Sequence, residues 1–359
     1  MVTAEGQSSP LLTAITALVS NLVMGVIPDP VKPFFFGGRL VALNKKDGGI
    51  RPIVVGQTFR RLTSKLVNSY ASLKLSSSLA PLQLGVGIAG GVEAAVHATR
   101  RYLEHCDPGV VVAKLDFRNA FNSLRRDIIL ESVQLSLPEA YSYCYASYAS
   151  SSHLFFANHI VESAEGVQQG DPLGPLLFSL AIHPLLTQAQ SDLRIAYLDD
   201  VTLGGEAESV STEVVKFRRE AERLGLLLNE TKCKVIASPT IQSLPEPISS
   251  FTRMSASEAI LLGSALFQGP AMDKSLGDRV ASLRLASERL KSLQAHDALV
   301  ILKHSLSLPR LLHNLRSSFC VNHPALLEFD QLLRESLQHI LDVSMDSSCT
   351  PGKKRRTGN

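Results

Sequence analysis

The sequence is poor in several features that mark specialised classes of protein. It contains no tryptophan, and charged residues make up only 19% of its 359 residues. Its cysteines are odd in number and nowhere spaced as Cys-x-x-Cys; they are Cys106, Cys144, Cys233, Cys320 and Cys349. Neither a disulfide framework nor a zinc knuckle is therefore predicted, and a reducing compartment is expected.

Charged residues are also missing from the apolar segment 11–27, but that segment is not typical of a membrane span. It lacks a basic leader, and polar residues and Gly25 interrupt it before Pro28. A membrane-spanning helix needs about 20 predominantly apolar residues, and a signal peptide begins with a basic region. We predict a buried helix that ends near Gly25, and no membrane partner.

The composition that is present is that of a folded protein. Hydrophobic residues make up 45% of the chain, and its length allows one large or two to three smaller folding units. The net charge of +3 is compatible with a nucleic-acid partner. A charge this small does not indicate such a partner by itself.

Apolar runs and turn residues predict the order of helices and strands. The predicted strands are 39–43, 50–55, 110–115, 153–156, 160–163, 193–197, 201–203 and 234–237, with a short hairpin at 259–267. After the first helix, the predicted helices are 58–76, 92–105, 125–135, 175–189, 208–227, 275–296, 298–312 and 326–343. A Pro/Ser-rich break at 238–250 separates the mixed part of the chain from the helical part.

Three aspartates are predicted to meet at one edge of a sheet. Asp116 ends an apolar strand, and Asp199 and Asp200 occupy the turn between two short strands. Carboxylates this close raise each other's pKa unless a cation neutralises them. Hard oxygen ligands favour Mg²⁺, with Mn²⁺ as an alternative, and two such ions about 4 Å apart would serve nucleotidyl transfer. An isolated Asp-Asp pair is more often a solvated turn.

Three segments resemble motifs A, B and C of reverse transcriptases, in the same order. They are Lys-Leu-Asp-Phe-Arg-Asn-Ala-Phe at 114–121, Gly-Val-Gln-Gln-Gly-Asp-Pro-Leu-Gly-Pro at 166–175 and Ala-Tyr-Leu-Asp-Asp at 196–200. Residues 45–53 resemble the fingers hairpin, 225–232 motif D, and 261–263 the primer-grip hairpin. Details at 51–53, 121–123 and 165–175 look most like the enzymes of non-LTR retrotransposons.

The resemblance implies an α+β protein with the right-hand polymerase fold. Residues 1–109 would form the fingers with the N-terminal helix. Residues 110–270 would form a βαββ palm, with an inserted fingers hairpin at about 140–170 and the primer-grip hairpin. Residues 271–345 would form a helical thumb, and 346–359 a disordered basic tail.

The resemblance also implies which residues carry out the chemistry. Asp116 and Asp199 would be the principal ligands of two Mg²⁺ ions, with Asp200 as a third carboxylate and the Phe117 carbonyl as an extra ligand. Lys232 would protonate the departing pyrophosphate as a general acid. Lys234 lies two residues away and is the alternative for that role.

Further residues are expected to bind the substrate. Lys46 and Arg51 would hold the β- and γ-phosphates of the incoming nucleotide, with Lys45 as the competing lysine. Gln169 would hydrogen-bond the sugar or phosphate. Gly170 would let the backbone approach the nucleotide closely.

Two aromatic residues complete the expected site. Phe121 occupies the family's steric-gate position, where its ring would collide with a ribose 2′-hydroxyl and favour dNTPs. The alternative is that Phe121 is simply a core residue. Tyr197 would support the hairpin near the primer end.

The predicted function is RNA-directed DNA synthesis, with an RNA template, a DNA primer and dNTPs as partners. Two alternatives are an inactive nucleic-acid-binding relic of a retroelement and an RNA-synthesising polymerase of the same fold. The sequence contains no endonuclease-like segment, so target cleavage would belong to another chain or a longer precursor. The roles of Arg60 and Arg61, template contacts or a solvated helix face, are open. The basic run 353–356 is open to three interpretations, a nucleic-acid contact, a nuclear import signal or a solvated tail. The expected location is nuclear or cytoplasmic, with the nuclear one favoured.

Overall fold

The computed structural model describes residues 9–45 and 48–344. The chain divides into two compact units, each with its own hydrophobic core. The first comprises Met1–Ala95 and Tyr102–Met254, and the second comprises Val96–Arg101 and Ser255–Asn359. The predicted division into fingers, palm and thumb stays a prediction.

The helices and strands of the first unit follow the predicted order closely. The helices are α1 (Pro10–Val23), α2 (Lys32–Phe35), α3 (Thr58–Leu79), α4 (Gly91–His105), α5 (Ala120–Ser123), α6 (Arg126–Ser136), α7 (Tyr141–Tyr148), α8 (Gly174–Gln188) and α9 (Ala207–Arg223). The strands are β1 (Gly38–Asn44), β2 (Ile50–Gly56), β3 (Val110–Leu115), β4 (Ser152–Phe156), β5 (His159–Ser163), β6 (Leu193–Tyr197), β7 (Asp200–Glu206), β8 (Lys234–Ala237) and β9 (Thr252–Met254). Helix α4 contributes its middle residues to the second unit.

A five-stranded sheet in the order β6-β7-β3-β8-β9 forms the centre of the first unit. Its middle strand β3 is antiparallel to both β7 and β8. Val111, Ala113 and Leu115 alternate along β3 and belong to a core that also contains residues of α8 and α9. This alternation places the residues between them on the opposite face of the sheet.

A second sheet joins the two predicted hairpins. The hairpins β1–β2 and β4–β5 are antiparallel, and β1 pairs with β4 in parallel to give the order β2-β1-β4-β5. The Asp-Gly turn signal between β1 and β2 and the Asn158 signal between β4 and β5 therefore predicted both hairpins correctly. Lys46, on the tip of the first hairpin, lies outside the described residues.

A buried ion pair connects helix α3 to the loop before α8. The Arg60 guanidinium meets the Asp171 carboxylate at 3.0 Å, and both side chains are only 2% exposed. Arg60 also donates to the Phe36 carbonyl and the Gln168 side chain, and the Tyr148 hydroxyl donates to Asp171 at 2.6 Å. Arg60 is therefore neither part of a solvated helix face nor open to a template.

The second unit consists of helices and one small hairpin. Its elements are β10 (Ile260–Leu261), β11 (Ser264–Ala265), α10 (Pro270–Leu290), α11 (Ala295–Ile301), α12 (Leu308–Ser317) and α13 (Pro324–Leu341). The single helix predicted over 298–312 was wrong. A π-helical turn at Leu302–Leu306 separates α11 from α12, because Pro309 has no N–H to donate and clashes with the preceding turn.

Helix α1 also departs from its prediction. It ends at Val23, and Gly25 adopts a φ of 72°, so the predicted end near Gly25 is confirmed. The helix is not buried, however, because only Val19 and Leu22 lie in the interior and Leu11 is 70% exposed. Within the described residues, no helix has the length and apolar character needed to cross a membrane.

The buried ion pair predicts a large difference between two adjacent arginines. Arg60→Met should lower the free energy of unfolding by about 3–5 kcal/mol, because it leaves the Asp171 carboxylate buried without its partner. Arg61→Met, at an exposed position of the same helix, should change it by less than about 0.5 kcal/mol. Urea denaturation of the two variants makes the comparison. Equal losses would show that the Arg60–Asp171 pair does not stabilise the unit.

Candidate active site

The register of the central sheet brings the three predicted aspartates to one edge. Leu115, the last residue of β3, pairs with Val201 of β7, so Asp116 follows β3 where β7 begins at Asp200. Tyr197 pairs with Asp200 across β6 and β7, which leaves Leu198 and Asp199 as a two-residue turn. The predicted convergence is therefore present in the fold.

The backbone of Asp116 is held by the segment that resembles motif D. The Asn229 N–H donates to the Asp116 carbonyl at 2.8 Å, and the Asp116 N–H donates to the Cys233 sulfur at 3.3 Å. The next two residues continue this pairing, since Phe117 bridges to Leu228 and the Arg118 N–H donates to the Leu227 carbonyl. The segment from Leu227 to Cys233 thus fixes the position of Asp116.

Burial raises the pKa of all three carboxyl groups, and neighbouring carboxylates add to the rise at Asp199 and Asp200. Burial, followed by the charges of Asp200 and Asp116, raises the pKa of Asp199 to about 6. The pKa of Asp200 is raised by burial and by Asp116, although its side chain reaches solvent and Lys114 opposes the rise. Burial also raises the pKa of Asp116. The three groups therefore act on one another electrostatically.

Several positive groups surround these carboxylates. Lys232 and a hydrogen bond from the Asn229 side chain lower the pKa of Asp116 most, and Lys45 and Lys114 lower it further. The charge of Arg51 likewise lowers the pKa of Asp199. Of the two lysines proposed as general acid, Lys232 lies near Asp116, whereas Lys234 pairs across the sheet with Lys114.

The carboxylates suit a divalent cation in donor type and in charge. All three offer hard oxygen atoms, and a cation would relieve the repulsion that contributes to the raised pKa values of Asp199 and Asp200. Within residues 9–45 and 48–344, no group of three or more His, Cys, Asp or Glu side chains is arranged so that it could hold a metal ion. The metal-ligand roles of these aspartates and of the Phe117 carbonyl stay predictions.

The ring of Phe121 has both a core side and an accessible side. It stacks on the fully buried ring of Phe178, with centroids 4.7 Å apart and planes 24° apart. Phe121 itself is only half-buried. The core interpretation therefore accounts for one face of the ring, and its role as a steric gate stays a prediction.

The two glutamines of motif B have different environments. Gln168 is buried and donates to the Phe36 carbonyl at 3.1 Å and to the Ser152 hydroxyl at 2.7 Å, so it connects parts of the fold. Gln169 is half-buried, and its carbonyl accepts from the Val54 N–H at 2.7 Å. Its side chain is the more accessible of the two, and its predicted contact with the sugar or phosphate stays a prediction.

Glycine is required at position 170 by the neighbouring strand. Gly170 has a φ of 114°, and a Cβ there would lie 2.3 Å from the Val54 carbonyl oxygen of β2. The close approach that the structure shows is thus to β2, and the nucleotide contact of Gly170 stays a prediction. Tyr197 is half-buried at the end of β6, and its role in supporting the primer end likewise stays a prediction.

Sequence reasoning missed three side chains of this site. Asn229 and Cys233 contact Asp116, and Lys114 lies on the same face of β3 two residues before it. The two-residue periodicity of a strand would have assigned Lys114 to the aspartate face. Asn229 and Cys233 carried no such signal, because their contacts arise only when the segment resembling motif D folds back.

The crowding predicts that one aspartate destabilises the protein at neutral pH. The folded state holds the Asp199 proton more tightly than the ordinary value of 3.8, so the free energy of unfolding falls as the pH rises from about 4 to about 6. Without divalent cations and at about pH 7.5, Asp199→Asn should therefore be more stable than wild type by about 1–3 kcal/mol. The difference should vanish near pH 4, as urea denaturation at the two pH values would show. Equal stability at both would mean that the carboxylates are not crowded.

Comparison with known proteins agrees with this geometry. Residues 43–263, more than half of the chain, match the family model described as reverse transcriptase (RNA-dependent DNA polymerase). The Retrotransposable element SLACS 132 kDa protein of Trypanosoma brucei gambiense is 29% identical over 233 residues, which cover 62% of this chain and 19% of that protein. The Retrovirus-related Pol polyprotein from type-1 retrotransposable element R2 of Popillia japonica is 25% identical over 173 residues, covering 39% and 27%. The chain thus spans less than a third of the length of either relative.

A solved structure shows the same fold. Telomerase from Candida albicans, in complex with the TWJ fragment of telomeric RNA, has a TM-score of 0.52 and 14% identity over 92% of this chain and 59% of that chain. The prediction of an α+β right-hand polymerase fold is confirmed by this likeness and by the family match. The chain belongs to the reverse transcriptase (RNA-dependent DNA polymerase) family, as a domain of the non-LTR retrotransposon type.

Proposed function

We propose that this chain is the catalytic core of an RNA-directed DNA polymerase that adds dNTPs to the 3′ end of a primer on an RNA template. The observation that carries the proposal is the edge where Asp116, Asp199 and Asp200 meet with raised pKa values. Carboxylates crowded in this way are an arrangement suited to divalent cations. Family membership supplies the reaction for which such a site is used.

The aspartates would hold Mg²⁺, or Mn²⁺, and the family depends on divalent metal in general. Asp116 and Asp199 are the proposed principal ligands, with Asp200 and the Phe117 carbonyl beside them. Two such ions, when bound, would stabilise the charge on the attacking and leaving oxygens. Asn229 and Cys233 keep the Asp116 backbone in place for this purpose.

Positive side chains near the carboxylates would orient the triphosphate. Arg51 lies close enough to lower the pKa of Asp199, and Lys45 to lower that of Asp116. A guanidinium binds phosphate oxygens in a bidentate manner, and an ammonium binds them as a point charge. Lys46 is the third cation proposed here. Lys232, beside Asp116, would donate a proton to the departing pyrophosphate.

The accessible face of Phe121 would select the sugar. Its ring cannot move inward, because it is stacked on the buried ring of Phe178. A 2′-hydroxyl placed against the accessible face would therefore be excluded, while Gln169 and Gly170 would contact the same nucleotide from motif B. Tyr197 would support the end of the primer. Target cleavage is proposed to lie outside this chain, in line with the much greater length of both relatives.

Primer extension tests the proposal directly. Wild type should extend a DNA primer on an RNA template with Mg²⁺ and dNTPs. Asp199→Asn should reduce extension by about 10³-fold, because several kcal/mol of transition-state stabilisation is lost. Asp192→Asn is the control, because Asp192 is exposed and lies just before β6. This variant should keep its activity.

The expected stability of Asp199→Asn makes this test selective. Because that variant should be at least as stable as wild type at neutral pH without divalent cations, a loss of intrinsic stability cannot explain its inactivity. If wild type binds primer–template but incorporates no more nucleotide than Asp199→Asn does, the proposal is contradicted. The alternative of an inactive nucleic-acid-binding relic of a retroelement would then be favoured.

Nucleotide selection separates DNA synthesis from RNA synthesis. Phe121→Ala should reduce discrimination against rNTPs by about tenfold or more, since the steric barrier to the 2′-hydroxyl is removed. Phe178→Leu keeps the Phe121 ring but removes the ring that supports it, so it should reduce discrimination less than Phe121→Ala does. The ratio of kcat/KM for dCTP and CTP on one primer–template measures the effect. Unchanged discrimination in Phe121→Ala would contradict the gate assignment.

A further inference from the structure

The turn that carries Asp199 contains a backbone conformation that its residue does not favour. Leu198 and Asp199 join β6 to β7, and Leu198 has a φ of 58°. A left-handed conformation costs a residue with a branched side chain about 1–2 kcal/mol, so it persists only where the surroundings enforce it. A specific partner of Leu198 is therefore required.

One buried side chain contacts both backbone groups of Leu198. The Leu198 N–H donates to Oε1 of Gln83 at 2.8 Å, and Nε2 of Gln83 donates to the Leu198 carbonyl at 3.2 Å. The Gly85 N–H adds a second bond to Oε1 at 3.1 Å. These partners fix the orientation of the amide, because its oxygen can only accept and its nitrogen can only donate.

The backbone around Gln83 places the amide next to the turn. Gln83 bridges in parallel to Ala196, and the N–H of Leu84 donates to the Ala196 carbonyl at 2.8 Å. The side chain of Gln83 has no exposed surface. The segment from Gln83 to Gly85 thus runs along the edge of β6 and ends at the turn.

Gly85 allows this close approach. A Cβ at position 85 would lie 2.8 Å from both the backbone nitrogen and the side chain of Leu198. The close contact leaves no room for a larger residue. Gln83 and Gly85 together therefore lie directly against the backbone of Leu198.

We infer that Gln83 is a positioning residue for the polymerase reaction. By bonding both backbone groups of Leu198, it holds the strained turn and with it the adjacent carboxylate of Asp199. This inference rests on the proposed function for its effect on catalysis. Its structural part, the restraint of the turn by Gln83, does not.

Steady-state kinetics of Gln83→Met tests the effect on catalysis. Methionine keeps the volume but cannot donate or accept at the turn, so kcat should fall by roughly tenfold or more, while KM for dNTP changes by less than about threefold. Tyr143→Phe is the matched control. It removes a buried hydroxyl that bonds Ser64 at 2.7 Å in the same unit and should leave kcat unchanged. Equal losses of kcat in both variants would mean that Gln83 only stabilises the fold and does not position the turn for catalysis.

A double-mutant cycle separates positioning from general stability. Leu198→Gly relieves the strain at the turn, because glycine adopts positive φ without cost. In that background Gln83→Met should reduce kcat by clearly less than it does in wild type. Independent, multiplicative effects of the two changes would overturn the inference.

Hydrogen exchange of the turn keeps the inference distinct from the proposed function. In Gln83→Met the Leu198 amide should exchange about tenfold faster or more, and in Tyr143→Phe it should not change. If wild type fails to extend primers but this acceleration occurs, the proposed function fails and the restraint by Gln83 stands. If exchange is unchanged, the inference fails whatever the polymerase activity.

Discussion

The burial of three carboxylates at one edge of the central sheet is the constraint on which the candidate site depends. Because Leu115 pairs with Val201, Asp116 lies next to the start of β7, where Asp199 and Asp200 are also located. Burial, with repulsion at Asp199 and Asp200, raises the pKa of these groups in the protein alone. On the proposed function, a bound divalent cation would offset this effect.

Polar contacts between distant parts of the chain hold this edge in position. Asn229 fixes the backbone of Asp116, and Gln83 fixes the turn before Asp199. The buried pair of Arg60 and Asp171 holds the loop that carries motif B. Each contact satisfies groups that would be costly to bury alone. Rigidity at the site thus comes from polar groups that hydrophobic packing alone could not orient.

The sequence was informative where local chemistry decides the outcome. Apolar runs and the Asp-Gly turn predicted the hairpins, and the order of the aspartate motifs predicted the site. Helix α7 was missed, because it is buried on nearly all sides and so shows no polar face. Arg60 and Gln83 could not be assigned, because their partners lie over 100 residues away. The break in the helix at Pro309 was predictable in principle, since proline interrupts the ladder of hydrogen bonds.

A structure of the chain with an RNA template, a DNA primer lacking its 3′-hydroxyl, a dNTP and Mg²⁺ tests the central claim most directly. The account predicts the triphosphate beside Asp116 and Asp199, with the cations between them and the sugar against the ring of Phe121. Nucleotide bound away from these carboxylates, or aspartates that bind no cation in that complex, would contradict it.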